Sequence, residues 1–172
     1  MALFYVFQGE TYAEEKLGGY VWSPQRNKNG RKNAGYTTMT NIHKGDIIFH
    51  NSNGKFMAIG VATSNCYEAV QPEELVRANT TIDWEKSGYR VDVRYFELDT
   101  PLKVTEFKEW LQKHYLVGSA FTKNGTGKQQ YMCSLADEHA IFLLEKAIGL
   151  QKSEQTVKKL KQFLDDIKGA VI

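Results

Sequence analysis

The sequence predicts an α+β domain: a curled, mixed β-sheet flanked by helices. Short runs rich in β-branched and aromatic residues recur through its first hundred positions. Two of them are joined by Asn53-Gly54, the strongest short-range hairpin signal. Helically spaced segments follow the later strands, but no βαβ unit repeats.

Leu3-Phe-Tyr-Val-Phe-Gln8 reads as the first strand. Glu10–Leu17 holds a helical turn closed by Gly18-Gly19, and Tyr20-Val21-Trp22 is a second strand stopped by Ser23-Pro24. Gln25 to Gly35 is a polar, basic loop whose length suits function better than mere connection. Tyr36–Asn41 leads into a turn at Ile42–Asp46, and Ile47–Asn51 and Phe56–Ala62 form the hairpin. Pro72-Glu-Glu-Leu75 opens a short helix, with proline and acids in its first turn. Asp83–Gly88 is a turn before Tyr89–Leu98, where Tyr89, Val91, Val93 and Tyr95 alternate with Arg90, Asp92 and Arg94. Thr105–Leu116 reads as a helix capped by Thr105. After the glycine-rich basic loop Phe121–Lys128 comes a brief strand at Gln129–Cys133. Ser134 then reads as the cap of a helix over Glu138–Ile148, ended by Gly149. Thr156–Ile167 places Val157, Leu160, Leu164 and Ile167 on one face. An apolar face with nothing following to cover it suggests a chain cut from a longer protein, or self-association. The sum is five or six strands and three or four helices.

Composition narrows the classes. With 172 residues, 42% hydrophobic and 12% aromatic, the chain can bury one domain's core and is not disordered. The N-terminal apolar run has no basic region before it, so it reads as a strand and not as a secretory signal. No apolar stretch approaches the roughly 20 residues that span a bilayer, so no membrane partner is expected. Cys66 and Cys133 are isolated, which suits a reducing, cytoplasmic setting. His43, His50, His114 and His139 are scattered, without metal-ligand spacing. There is no Gly-x-Ser-x-Gly elbow, and Gly125-Thr-Gly-Lys128 lacks the strand and Ser/Thr helix of a phosphate loop. No enzyme, no metal and no cofactor is called for.

The net charge of +2 is unevenly spread. Between Glu15 and Asp46 there is no acid, while Lys16, Arg26, Lys28, Arg31, Lys32 and Lys44 fall there. From Trp110 to Ala136 there is again none, with Lys113, Lys123 and Lys128 present. Two such segments converging in space would form the positive face of a polyanion binder. Apart they are solvated surface.

The candidate site starts from Trp22, at the mouth of a turn, with Gln8, Thr11 and Tyr12 on the neighbouring loop. An indole beside hydrogen-bonding groups suits a flat heteroaromatic ligand, a nucleobase first, since stacking on an aromatic is worth about 1–3 kcal/mol per base. The competing reading is an indole that plugs the core.

Phe4–Tyr12, Gly18–Pro24, Gly45–His50, Gly60–Ala62, Val91–Phe96 and Asn124-Gly125 through Gln130-Tyr131 together resemble, in order and spacing, the EVE/YTH-like branch of the PUA superfamily. The likeness spans roughly residues 3–148. It is nearest to the N-terminal reader modules of modification-dependent restriction enzymes, McrB-like motors and EVE–HNH nucleases. It implies a PUA-like pseudo-barrel over residues 1–149, with 150–172 an amphipathic helix or linker toward an effector. The implied function is DNA-binding specificity without catalysis. A methylated base, N6-methyladenine or a modified cytosine, would be flipped into an aromatic pocket for a fused or associated nuclease or AAA+ motor, with an RNA reader as the alternative. By resemblance Val21-Trp22-Ser23 matches the motif whose tryptophan walls the YTH cage, and Gln8, Thr11 and Tyr12 contact the base. Trp84, or else Phe49 or Tyr67, would supply a second wall. Arg26, Lys28, Arg31, Lys32, Lys123, Asn124 and Lys128 would hold the nucleic-acid backbone.

Overall fold

The fold is built outward from a strand buried on both faces, in a computed structural model that describes residues 1–78 and 87–170. This strand, β1 (Leu3–Phe7), sends Leu3 and Tyr5 into one core and Phe4 and Val6 into another, because side chains alternate across a strand. That is why its sequence is an unbroken apolar run instead of an alternation. β1 pairs in parallel with β3 (Ile47–Ser52) and antiparallel with β7 (Met132–Ser134).

β4 (Lys55–Ala62) returns from β3 across Asn53 and Gly54, both at positive φ, as the predicted two-residue turn requires. β6 (Ser87–Lys103) pairs with β4 along its second half. Its first half lies between β2 (Tyr20–Pro24) and β5 (Tyr67–Val70). The order is β2-β6-β4-β3-β1-β7, with β5 added on β6. Register shifts at His50/Asn51 and Phe56/Ala58 bend the strands. The sheet rolls until its two ends approach: the hydroxyl of Tyr131, just before β7, accepts from the Trp22 amide of β2 at 3.0 Å.

Helices α1 (Tyr12–Gly18), α2 (Ala34–Thr37), α3 (Glu73–Ala78) and α4 (Lys108–Lys113) sit in the connections, and α5 (Asp137–Ile148) and α6 (Glu154–Ala170) cover the outer face. There Leu143, Leu144, Leu160, Phe163 and Ile167 join Tyr5, Phe49 and Phe56 in the larger core. The roll itself encloses Phe4, Val6, Val21, Met39, Ile48, Val91 and Met132. The architecture is the curled mixed sheet flanked by helices that the sequence predicts.

Several local expectations are corrected. β5, unmarked in the sequence, is a mostly exposed strand held by its pairing with β6 and by the Trp22 indole on the Ala69 carbonyl. The segment expected as one helix over Thr105–Leu116 opens as a 3-10 turn at Val104–Phe107 and is α-helical only through α4, with no side-chain cap from Thr105. Gln129 has φ +57, which a strand cannot hold, so β7 begins at Met132. Ser134 lies within β7 and does not cap α5, where Ala136 takes the cap position. The tail helix does not stand open. Its apolar side closes the domain's own larger core, so the reason for expecting an uncovered face is gone.

Candidate nucleic-acid interface

Where the roll fails to close, between the edge strands β2 and β7, lies a cavity of ≈ 240 Å³. Trp22, Ser23 and Pro24 of β2 form one side; Phe7 and Gln8 at the end of β1, with Tyr131, form the other. Tyr36 of α2 and Leu75 of α3 complete the walls, and Glu10 and Thr11 stand at the loop after β1. Four aromatic rings thus surround a space that would hold about eight waters.

The wall is held from behind by a buried carboxylate. Glu15 accepts from Gln8 Nε2 at 2.9 Å, from Thr11 Oγ1 at 2.9 Å, from the Trp22 amide at 3.0 Å and from the Tyr131 hydroxyl. The Trp22 amide lies on an edge strand, and these side chains satisfy it. Four converging donors suit an ionised carboxylate. Burial nevertheless pushes the Glu15 pKa up to about 7, against the pull of those hydrogen bonds. Gln8 also donates to the Tyr95 hydroxyl at 2.9 Å, so its Oε1 must accept from His50 Nδ1 at 2.8 Å. That fixes the His50 tautomer, leaving Nε2 buried without a hydrogen-bond partner among the described residues. Burial drops the His50 pKa to about 3.

The predicted pocket residues scatter. Trp22, Ser23, Gln8 and Thr11 line the cavity. Trp22 is not the open stacking platform expected: it is 2% exposed, and its indole N–H donates to the Ala69 carbonyl at 3.1 Å. It is a wall, reached only from within the cavity. Gln8 has every side-chain hydrogen-bonding atom engaged inside the fold, so it shapes the wall and has no free amide edge for a base. Ser23 likewise turns its hydroxyl to the Pro24 carbonyl at 2.9 Å. Tyr12 lies apart from the cavity, its hydroxyl donating to Glu97 at 3.2 Å. Phe49 is a core residue, stacked on Phe56 at 5.0 Å between centroids, because alternation along β3 sends it to the outer-face core. Tyr67 sits on the exposed β5 with its hydroxyl on Asp92. Trp84 lies outside the described residues. Glu15, Phe7, Tyr36 and Leu75 were not foreseeable as a group. Phe7 and Tyr131 stood in separate motifs, and Glu15 reads as an ordinary first-turn acid of α1.

The two acid-free segments meet. A side chain on Gly35 would fall 2.7 Å from the Tyr131 amide nitrogen, so α2 is packed directly on the chain entering β7. The first basic loop is itself a small hairpin, bridged at Arg26 and Lys32 and turned at Gly30. It leaves from Pro24 and returns before Tyr36, both cavity-lining. The second is bridged at Phe121 and Gly127, and Gly127 abuts the Phe7 ring. Arg26, Lys28, Arg31, Lys32, Lys123 and Asn124 are exposed on these hairpins, with Lys128 half-buried.

No protein-family model matches the sequence, and no curated protein matches it. Solved structures do. Human THYN1 protein, in complex with 5-methylcytosine-containing DNA, is 14% identical with TM-score 0.53, over 89% of this chain and 100% of that one. The YTH domain of Zygosaccharomyces rouxii MRB1 protein, in complex with N6-methyladenosine RNA, is 10% identical with TM-score 0.52, over 85% and 86%. The Pho92 YTH domain in complex with m6A is 12% identical with TM-score 0.54, over 89% and 86%. At such identity the likeness is one of fold: the chain shares the curled mixed sheet of these YTH domains and of THYN1 protein.

Proposed function

We propose that this chain is a non-catalytic reader of modified nucleic acid, in which the cavity walled by Trp22 receives one methylated base turned out of DNA, N6-methyladenine or a modified cytosine. The observation that carries this reading is the seam cavity itself, ringed by Phe7, Trp22, Tyr36 and Tyr131, with a cationic hairpin ending on each side. Unstacking a base costs a few kcal/mol. Aromatic contact offsets about 1–3 kcal/mol of it, and a methyl buried against such a wall adds roughly 0.8 kcal/mol. Arg26, Lys28, Arg31, Lys32, Lys123, Asn124 and Lys128 hold the phosphates. The fold's neighbours, solved with methylated RNA or DNA, support the reading. A reader of this kind acts by delivering an effector, a fused or associated nuclease or AAA+ motor, within the cytoplasm.

The YTH neighbours in complex with RNA or m6A support the second reading, an RNA reader. Fluorescence anisotropy with matched methylated and unmethylated oligonucleotides, as duplex DNA and single-stranded RNA, decides between them. Tyr36→Ala, at a half-buried wall position, should weaken methylated ligand by about 1–3 kcal/mol. Equal affinity of the wild type for methylated and unmethylated forms of both polymers overturns the proposal; preference for methylated RNA over DNA selects the second reading.

A further inference from the structure

A second cavity, of ≈ 260 Å³, lies on the other side of Phe7, and that ring lines both. Its walls are also aromatic: Tyr5 meets Phe7 edge-on at 4.9 Å and Phe121 edge-on at 5.3 Å. Inside it are two buried polar side chains, Tyr5 and Asn51. Asn51 Nδ2 donates to the Tyr5 hydroxyl at 2.6 Å, and neither side chain has another hydrogen-bond partner among the described residues. The pair therefore leaves one acceptor, the amide oxygen, beside two donors, the phenol proton and the second amide N–H. Were the amide reversed, the phenol would donate to its oxygen, leaving the two amide N–H donors beside the phenol oxygen as acceptor. An adjoining donor and acceptor at the base of an aromatic slot match the edge of a nucleobase, which presents the complementary pair.

The surroundings choose among flat ligands. One wall is the hairpin Phe121–Lys128, which carries Lys123 and Lys128, and Lys108 stands exposed at the rim. Gly125 seats that hairpin on the start of α4, where a side chain would fall 2.1 Å from the Lys108 carbonyl. A strand whose phosphates follow this hairpin passes the mouth of the second cavity as it leaves the first.

We propose that the second cavity takes the unmodified base adjacent to the methylated one in the same strand, with the Phe7 ring between them, so that the chain reads a dinucleotide. This rests on the reader function proposed above. It explains why an aromatic side chain is half-buried where β1 ends, shared by two cavities of nearly equal size.

The test uses the full chain and a series of methylated oligonucleotides in which an abasic site replaces each position in turn. The wild type should show two adjacent sensitive positions, each losing roughly 5- to 100-fold in affinity. Thr105→Trp, which fills the cavity from an exposed rim position without touching the buried pair, should keep the methyl preference and leave only one sensitive position. A melting curve like the wild type's establishes that it folds. A single sensitive position in the wild type overturns the dinucleotide and leaves the reader intact. Both positions persisting in Thr105→Trp, or loss of its methyl preference, overturns the assignment of this cavity to the neighbouring base. Two sensitive positions without any methyl preference would keep the inference and sink the methyl-reading function, and failure to bind any oligonucleotide sinks both.

Discussion

Glu15 and His50 are linked through one glutamine, yet burial drives them in opposite directions. His50 falls from 6.5 to about 3, so the folded chain binds fewer protons than the unfolded one in that window and stability rises with pH across it. Glu15 rises from 4.5 to about 7, so the folded chain binds more protons and stability falls as pH climbs through that range. Between 4.5 and 6.5 the two oppose each other, and above that Glu15 alone remains. A shift of this size corresponds to about 3 kcal/mol. Glu15→Gln should therefore gain stability relative to wild type as pH is raised from 4.5 to 8, by about that amount, in urea denaturation at several pH values. A pH-independent difference would show that the carboxylate is not held as described.

At the scale of elements, the tail helix matters most. The sequence marks α6 clearly, from its apolar spacing, but not what it covers. Phe163 packs edge-on against Phe96 of β6 at 5.5 Å, and Lys159 lies 4.4 Å from the centre of the same ring. Truncating Phe163 to alanine should cost about 3–5 kcal/mol, read from thermal or urea melts, while the preference for methylated ligand survives. A neutral effect would mean that the helix is an appendage after all. The opposite case is the chain after Val104, where helical spacing overstated a segment that is α-helical for only six residues. Tyr89–Leu98 was legible as a strand because its polar and apolar residues alternate; its extension to Lys103 and the partner β5 come from pairing with distant residues.

At the scale of the molecule, a near-neutral protein gathers cations where two acid-free segments touch. If phosphates follow those hairpins, binding must weaken with salt by counterion release, about 0.9 in log–log slope per duplex contact. Replacing Lys32 and Lys128 together with glutamine should lower the slope by about 1–2, equally for methylated and unmethylated ligands. An unchanged slope in a salt titration would place the nucleic acid elsewhere on the surface.

The sequence by itself determined the fold class, the buried first strand, the Asn53-Gly54 hairpin and the two cationic segments. Each is written in adjacent residues, as period, turn chemistry or local charge. It also placed Trp22 at the end of a short strand, β2. The tertiary structure decided how that residue is presented and which neighbours join it. Gln8 is engaged by Glu15, Tyr95 and His50, at separations of 7, 87 and 42 residues, so no local pattern could reveal that its amide faces inward. Likewise alternation along β3 shows that Ile48 and Phe49 part company, but only the rolled sheet and the α5–α6 layer decide that Phe49 lies in the core and not in the cavity. Faces and partners are set by long-range pairing, and that information is not local to any stretch of the chain.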